Sequence, residues 1–168
     1  MNSSLLSTHQ SGFRAVHSTV TALLEATDSW ALNIDRGLIN VVVDLKKAFD
    51  TVDHEILLLK LRSSGVRGGA LHLFRSYLEH RTQICQIVCS KSTSKVLKCG
   101  VPQGTILGLL LFLLYINDLP QCLDFSHPRM YADDTSITYA GKDVKEITDF
   151  LNKDLKSLIP GCLPISSH

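Results

Sequence analysis

The sequence predicts a mixed α/β (α+β) fold made of one domain, or of part of one. The chain has 168 residues, close to the ~150 residues of an average domain. Hydrophobic residues make up 45% of it and charged residues 20%, a globular composition that excludes wholesale disorder. Stretches with helical spacing of apolar residues alternate with short β-branched runs, so both helices and strands are expected.

A helix and then a strand are expected first. Apolar residues recur at helical spacing over 17–35, and Gly37 is placed to end that helix. The β-branched run 38–44 follows and ends on Asp44. Continuous runs of this kind are typical of strands that are covered on both faces, so a buried strand is predicted.

Two short helices are expected next. Asp53 is a favourable N-cap residue for a helix over 54–62, which Gly65 ends. A further helix is predicted over 69–80. Capping is therefore the preferred interpretation of Asp53.

The middle of the chain predicts two strands and a buried helix. The strands are expected at 83–89 and 95–99, joined by a polar turn over 90–94. After a Pro-Gln-Gly turn at 102–104, a helix is expected over 105–117. Its apolar run of about 11 residues is shorter than the roughly 18 that a membrane span needs, so we expect a core helix.

A hairpin and an amphipathic helix are expected at the end. The hairpin covers 130–139, with Ala132-Asp133-Asp134 at its tip. Apolar residues on one face predict a helix over 143–158. The stretch 159–168 has two prolines and no periodicity, and we interpret it as a truncated end.

The cysteines argue against a disulfide framework or a zinc ribbon. There are five, an odd number, and none forms a C-x-x-C pair. The first ten residues are polar and lack the apolar core of a signal peptide. An intracellular protein without a membrane partner is the resulting expectation, with nucleus and cytoplasm not distinguished.

Charge is unevenly distributed along the chain. Between Lys60 and Lys98 there are eight basic residues and one acid, a net charge of +7, against −6 for the remainder. A basic segment beside an acidic one suits a protein that holds a polyanion and a divalent metal together. A solvated helix face is an equally good interpretation of the same pattern.

Three acids stand out as candidate metal ligands. Asp133 and Asp134 are adjacent at a predicted hairpin tip, where both can serve one site, and Asp44 ends a predicted strand. Hard carboxylate oxygens fit Mg²⁺ or Mn²⁺, and paired ions clamp the attacking and leaving oxygens in phosphoryl transfer. Ordinary turn, cap and surface acids are the alternative that spacing alone leaves open.

Several longer motifs resemble a known family. In order and spacing they are similar to the reverse transcriptase domain of non-LTR (LINE-like) retrotransposons of the jockey-like kind, over about residues 8–158. The matching runs are 10–19 (QSGFRAVHST), 44–54 (DLKKAFDTVDH), 100–108 (GVPQGTILG), 111–120 (LFLLYINDLP) and 131–135 (YADDT).

The resemblance implies a partial right-hand polymerase with palm and fingers. Fingers elements would lie at about 8–37 and 56–100 and palm elements at about 38–55 and 101–158, while the thumb would be missing and 159–168 would lie outside the family pattern. An RNA template, a DNA primer and dNTPs are the implied partners. Leu109 departs from the pattern because the family usually has proline there.

The resemblance also implies a set of site residues. Asp44, Asp133 and Asp134 would be catalytic and would hold two Mg²⁺ or Mn²⁺ ions, with the backbone carbonyl of Leu45 as a further ligand. Contacts to the incoming nucleotide would come from Phe49, Gln103, Gly104 and Arg14. The template–primer backbone would be gripped by Lys60, Arg62, Arg67, Arg75, Arg81, Lys91, Lys95 and Lys98.

Each of these residues also has a structural interpretation. From its pattern alone Phe49 is a core residue, Gln103 and Gly104 form a simple turn, and Arg14 lies on the surface. Two other interpretations of the whole chain are kept: a catalytically inert remnant that at most binds RNA or RNA–DNA hybrid, and a translated fragment that does not fold alone. Metal nucleases and palm-type cyclases share adjacent acids but leave the runs 10–14 and 100–104 unexplained.

Overall fold

A computed structural model describes residues 6–12, 17–45, 47–132 and 134–158. Contacts divide the chain into one unit of residues 1–46 and 116–168 and another of residues 47–115. The helices and strands are, in chain order, α1 (Thr19–Asp35), β1 (Ile39–Asp44), α2 (His54–Ser63), α3 (Gly69–Leu78), β2 (Thr82–Gln83), β3 (Gln86–Ile87), β4 (Ser90–Lys91), β5 (Lys95–Val96), α4 (Ile106–Ile116), β6 (His127–Tyr131), β7 (Asp134–Gly141) and α5 (Val144–Leu158).

The five predicted helices are confirmed, with ends that differ by one or two residues. Helix α1 begins after Ser18, whose hydroxyl accepts from Thr21 N, while Thr21 Oγ1 accepts from Ser18 N in return. Helix α2 begins after Asp53, whose carboxylate accepts from Glu55 N at 2.9 Å and Ile56 N at 3.0 Å. The expected capping role of Asp53 is therefore confirmed.

The first unit contains a three-stranded antiparallel sheet of order β1–β7–β6. Among the described strands β1 pairs with β7 alone, and Val42 at its centre is 45% exposed. The prediction of a buried strand is thus wrong for β1. Its β-branched run reflects the preference of Val and Ile for a pleated, half-covered surface, which an edge strand also provides.

One face of this sheet is packed against α5. Ile137 in β7 and Ile147 and Leu151 in α5 form a buried cluster. The partly buried residues packed around it include Val41 and Val43 of β1, which alternate with β1 residues of the opposite face. Asp44, which follows Val43, therefore lies on the opposite face of the sheet.

A buried carboxylate fixes the loop before β6. Asp154 in α5 is 2% exposed, and its two oxygens accept from the backbone N–H groups of Asp124 at 3.1 Å, Phe125 at 3.3 Å and Ser126 at 2.8 Å. Three donors satisfy a charge that would otherwise be costly to bury. The loop is thereby attached to the helix that covers the sheet.

Replacing Asp154 by asparagine is expected to lower the free energy of unfolding by about 2 kcal/mol, because an amide N–H₂ would then face backbone donors. Thermal unfolding of the two proteins measures this difference. Asp149→Asn, at an exposed position of the same helix, is the matched control and is expected to change stability by less than about 0.5 kcal/mol. Equal melting temperatures for Asp154→Asn and the native chain would contradict the assigned role.

In the second unit, the strands predicted at 83–89 and 95–99 and the turn between them differ from those observed. Four two-residue strands form here, with β2 paired to β5 and β3 paired to β4. The β3–β4 hairpin turns at Val88 and Cys89, so the prediction of a turn over 90–94 is wrong. Val88 adopts a φ of 53°, which residue preferences do not predict for a β-branched side chain.

The predicted core helix is confirmed in its middle part. Leu111 and Phe112 of α4 are 0% and 1% exposed, whereas Ile106 at its start is 90% exposed. Leu109, which stands where proline was expected, donates its backbone N–H to the Thr105 carbonyl at 3.2 Å, a bond proline cannot make. Among the described residues no helix combines the length and apolarity needed to cross a membrane.

The contact division differs from the expected fingers and palm boundaries. Residues 8–37 fall in the same unit as β1, because Asn33 Nδ2 donates to Asn40 Oδ1 at 2.8 Å and Asn40 Nδ2 donates to the Trp30 carbonyl at 3.1 Å. These two bonds connect α1 to β1. The assignment of elements to fingers and palm stays a prediction, as does the nature of 159–168, which lies outside the described residues.

Candidate active site

Two of the three predicted catalytic carboxylates share one face at one end of the sheet. Asp44 is the last residue of β1 and lies opposite Ser136, and Asp134 is the first residue of β7, two positions away from Ser136. Side chains two residues apart on a strand point to the same face. Asp44 and Asp134 are therefore diagonal cross-strand neighbours, and both are exposed.

A cavity of about 650 Å³ opens on this face, between the sheet and α1. Asp44, Asp134 and Ser136 line it from the sheet, and Trp30 lines it from α1. Arg129 of β6 adds a guanidinium to the same wall. The cavity thus presents carboxylate oxygens beside a fixed cation, a combination that suits a metal ion together with an anionic substrate.

Arg129 is held in place within this wall. Its guanidinium donates to Thr138 Oγ1 at 2.8 Å, and burial lowers its pKa, an effect that Glu25 partly opposes. An arginine stays protonated even so. Nothing in the sequence distinguishes Arg129 as a site residue, because a single arginine on a strand forms no recognisable pattern.

The third predicted carboxylate, Asp133, lies outside the described residues, as does Arg14. In the part of the chain that the structure describes, no three His, Cys, Asp or Glu side chains come together in a way that could hold a metal ion. The chemistry of the described pair nevertheless fits Mg²⁺ or Mn²⁺, which prefer hard oxygen ligands.

Leu45 directly follows Asp44 and has both a core and a backbone role. Its side chain packs against the cluster under the sheet, and its N–H donates to the Thr135 carbonyl at 3.0 Å. Leu45 is therefore held both by the packing of its side chain and by the hydrogen bond of its N–H. Whether its carbonyl is a metal ligand stays a prediction.

The turn between β6 and β7 has an unusual conformation. Ala132 adopts a φ of 57°, in the left-handed region that side chains other than glycine rarely occupy. Gln10, which is 2% exposed, bonds to this residue through its side-chain amide. Gln10 begins the run 10–19, one of those that resemble the reverse transcriptase family, but no role was predicted for it.

The predicted nucleotide contacts that the structure describes lie in the second unit. Phe49 is half-buried, and its ring stacks on Phe112 of α4 with centroids 4.5 Å apart. The core interpretation of Phe49 is therefore supported by its packing. Phe49 lies in a short 3-10 helix, Ala48–Thr51.

Gln103 is held by an acid that the sequence analysis did not assign to the site. Its Nε2 donates to Asp50 Oδ1 at 3.1 Å. Gly104, which follows it, adopts a φ of 75°, so the turn requires the freedom of glycine at this position. The Pro-Gln-Gly turn is thereby confirmed, and its glutamine has a defined partner.

A cleft of about 700 Å³ adjoins this turn within the second unit. Asp50 and Gln103 line it together with Arg81 and Lys98. Two residues predicted to grip nucleic acid thus share a cleft with one predicted to contact the nucleotide. Mixed basic and amide side chains of this kind bind phosphate oxygens and base edges.

The predicted basic residues do not form one uniform surface. Lys60 is 7% exposed, its ammonium donates to the Tyr115 carbonyl, and it also lies over the Tyr115 ring. Arg75 pairs with Glu79 at 3.0 Å and with Glu55 at 3.3 Å, and the hydrogen bond that its guanidinium donates to Glu79 is the main reason that its pKa is raised. The exposed members of the set are Arg62, Arg67, Lys91, Lys95 and Lys98.

Comparison with known proteins identifies relatives along nearly the whole chain. The family "Reverse transcriptase (RNA-dependent DNA polymerase)" matches residues 1–159. The protein named "Probable RNA-directed DNA polymerase from transposon BS", from Drosophila melanogaster, is 33% identical over 94% of this chain and 18% of its own length. The corresponding protein from transposon X-element is 33% identical over 84% of this chain and 16% of its own length.

A third relative is the "RNA-directed DNA polymerase from mobile element jockey" of the same fly, 30% identical over 87% of this chain and 17% of its own length. The chain therefore spans less than a fifth of each of these curated relatives. The resemblance to jockey-like non-LTR elements is confirmed. With a family match over residues 1–159 and carboxylates paired on one sheet face, the chain belongs to the reverse transcriptase family.

Proposed function

We propose that this chain carries the carboxylate site of an RNA-directed DNA polymerase, which extends a DNA primer with dNTPs on an RNA template. The observation that carries the proposal is the placement of Asp44 and Asp134 on one face, at one end of the sheet, lining one cavity. Membership of the reverse transcriptase family supports the same reaction. We also propose an intracellular location.

Asp44 and Asp134, with Asp133 between Ala132 and Asp134 in the sequence, would hold the divalent ions that reverse transcriptases generally use. When bound, Mg²⁺ or Mn²⁺ lowers the pKa of the primer 3′-hydroxyl and stabilises charge on the reacting phosphate. The carboxylates contribute negative charge at defined positions on a rigid sheet. Leu45, anchored through its N–H, would offer its carbonyl at the same site.

Phe49, Gln103 and Gly104 would contact the incoming nucleotide, together with Arg14. An aromatic ring under the sugar leaves no room for a 2′-hydroxyl, which favours deoxynucleotides. The bond from Gln103 to Asp50 holds the glutamine for such a contact. The packing of Phe49 on Phe112 gives the ring the rigidity that steric exclusion needs.

The predicted basic residues other than Lys60 would hold the template–primer backbone without reading its sequence. Arg81 and Lys98 line the cleft beside Gln103, and Lys91 and Lys95 lie on the neighbouring short strands. Because Lys60 is buried, we leave it out of this proposed surface. Salt-dependent binding of RNA–DNA hybrid is the expected signature of the remaining charges.

Primer extension tests the proposed function. The 168-residue chain is incubated with a DNA primer annealed to an RNA template, the four dNTPs and Mg²⁺ or Mn²⁺. We expect extension that requires the RNA template and stops when the metal is chelated. A preparation that melts cooperatively but extends no primer would overturn the proposal; metal-independent hybrid binding that weakens steeply with salt would then identify an inert binding remnant.

Phe49→Val is expected to reduce the preference for dNTPs over NTPs by about tenfold or more, because a smaller side chain admits the 2′-hydroxyl. Single-nucleotide incorporation with matched dNTP and NTP measures the ratio. Phe125→Val, the same change at a partly exposed phenylalanine of the first unit that is not among the proposed nucleotide contacts, is the control and is expected to keep native selectivity. Unchanged selectivity in Phe49→Val would exclude the proposed role of Phe49.

A further inference from the structure

Residues 6–12, the described segment before α1, lie along the outer edge of the sheet, beside β6. Gln10 bridges Met130 of β6 in parallel fashion: Ser11 N donates to the Met130 carbonyl at 2.8 Å, and Met130 N donates to the His9 carbonyl at 3.2 Å. The Asn117 side chain accepts from Ser7 N at 2.6 Å and attaches the start of the segment. The segment therefore has a defined position relative to the turn that follows β6.

The Gln10 side chain reaches the tip of this turn. Its Oε1 accepts from Ala132 N at 3.0 Å and from Gly12 N at 2.8 Å, and its Nε2 donates to the Ala132 carbonyl at 3.4 Å. Donor and acceptor of one amide thus bind both backbone groups of a single residue. Only a glutamine of this length supplies both atoms without introducing a charge, at a site where the side chain is 2% exposed.

Ala132 needs such support because its backbone conformation is unfavourable. A φ of 57° lies in the left-handed region, which a non-glycine residue adopts only where its surroundings hold it there. The residue directly precedes Asp133 and Asp134 in the sequence. Ala132 and Asp134, the first residue of β7, are the described residues on either side of Asp133.

Gly12 shows how closely the segment approaches the turn. A Cβ added to Gly12 would lie 2.2 Å from Ala132 N and 2.9 Å from Ala132 Cα. No side chain larger than hydrogen fits there unless the backbone shifts. Ala132 is thus contacted both by the Gln10 side-chain amide and by the Gly12 backbone.

We propose that Gln10 is a positioning residue of the carboxylate site, whose amide holds Ala132 in its left-handed conformation and thereby fixes the start of β7 at Asp134. The proposal rests on the proposed function for its catalytic meaning. The effect of the Gln10 amide on the turn and on the carboxylates can be measured through metal binding and stability, without primer extension. The hydrogen bonds of the Gln10 side chain in the described residues go to Ala132 and Gly12 and not to Asp44 or Asp134, so Gln10 acts through Ala132.

Gln10→Met keeps the length of the side chain but removes its donor and acceptor. We expect Mn²⁺ to bind this variant about tenfold more weakly in titration calorimetry, and primer extension to lose kcat by a similar factor with little change in the KM for dNTP. Gln121→Met, the same change at an exposed glutamine of the same unit, is the control and is expected to retain native affinity. Native Mn²⁺ affinity in Gln10→Met would overturn the proposal.

A double-mutant cycle with Ala132→Gly separates positioning from general packing. Glycine adopts a positive φ without strain, so the loss of Tm caused by Gln10→Met is expected to be clearly smaller in the Ala132→Gly background. Equal losses in both backgrounds would overturn the role in holding Ala132. If Gln10→Met does not melt cooperatively, Gln10→Asn, which keeps an amide one methylene shorter, replaces it under the same criteria.

The two proposals fail in distinguishable ways. If the native chain extends no primer but Gln10→Met still weakens Mn²⁺ binding, the polymerase function fails and the positioning role stands. If the native chain extends primers and Gln10→Met equals it in Mn²⁺ affinity and kcat, the positioning role fails alone.

Discussion

Asp44→Asn is expected to reduce primer extension by roughly a thousandfold, because several kcal/mol of charge stabilisation depend on the ligands that hold the metal. Asparagine has nearly the same shape but no charge, and Asp44 is exposed at the end of β1. The fold is therefore expected to remain intact. Single-turnover extension on an RNA template, together with Mn²⁺ titration, measures both consequences.

Asp149→Asn provides the matched control for this substitution. Asp149 is an exposed acid of α5 in the same unit, and the same loss of one charge there is expected to leave extension within about twofold of native. If Asp44→Asn retained a tenth or more of native activity, Asp44 would not be a catalytic ligand. A parallel loss in Asp149→Asn would instead indicate a general effect of charge.

Gly108→Ala is expected to lower the free energy of unfolding by about 3 kcal/mol, at the upper end for overpacked sites. A Cβ at this position would lie 2.0 Å from the Pro102 carbonyl oxygen and 2.8 Å from Thr105 Oγ1. Thr105 Oγ1 accepts from Gly108 N at 3.0 Å and donates to the Pro102 carbonyl at 3.1 Å. The added methyl group would therefore displace the Pro102 carbonyl and the Thr105 hydroxyl, whose hydrogen bonds connect the start of α4 to the Pro102 turn.

Thermal and urea unfolding measure this loss. Gly69→Ala is the control: Gly69 is the first residue of α3, and an added Cβ there meets no atom within 4 Å. Alanine is expected to be neutral or to stabilise α3 by up to about 1 kcal/mol. A Gly108→Ala protein as stable as the native chain would mean that the turn and α4 are not packed as described.

Local signals in the sequence were sufficient for most helices. Ser18 and Asp53 cap α1 and α2 because a side-chain oxygen satisfies backbone donors within three residues, an interaction that depends on neighbours in the chain. The hairpin predicted over 130–139 is also present, as β6 and β7, although Asp134 begins β7 instead of lying at the tip. These features depend on short-range patterns, which a single sequence contains in full.

The turn between the middle strands, the burial of individual side chains and the partners of residues distant in the chain were predicted less well. The middle strands are only two residues each, so no alternation was long enough to place their turn. The burial of Lys60 depends on Tyr115, and the hold on Gln103 depends on Asp50, partners 55 and 53 residues away along the chain. No pattern in either segment indicates the other.

The family, the five helices and the candidate acids Asp44, Asp133 and Asp134 could therefore be inferred from the sequence. The folded chain was needed to show that β1 is an edge strand, that Asp44 and Asp134 share a face, and that Gln10 binds Ala132. The physical reason is that caps and helical periodicity act between residues close along the chain. Strand order, burial and the Gln10 amide contacts arise instead between residues up to 122 positions apart, which meet only when the chain folds.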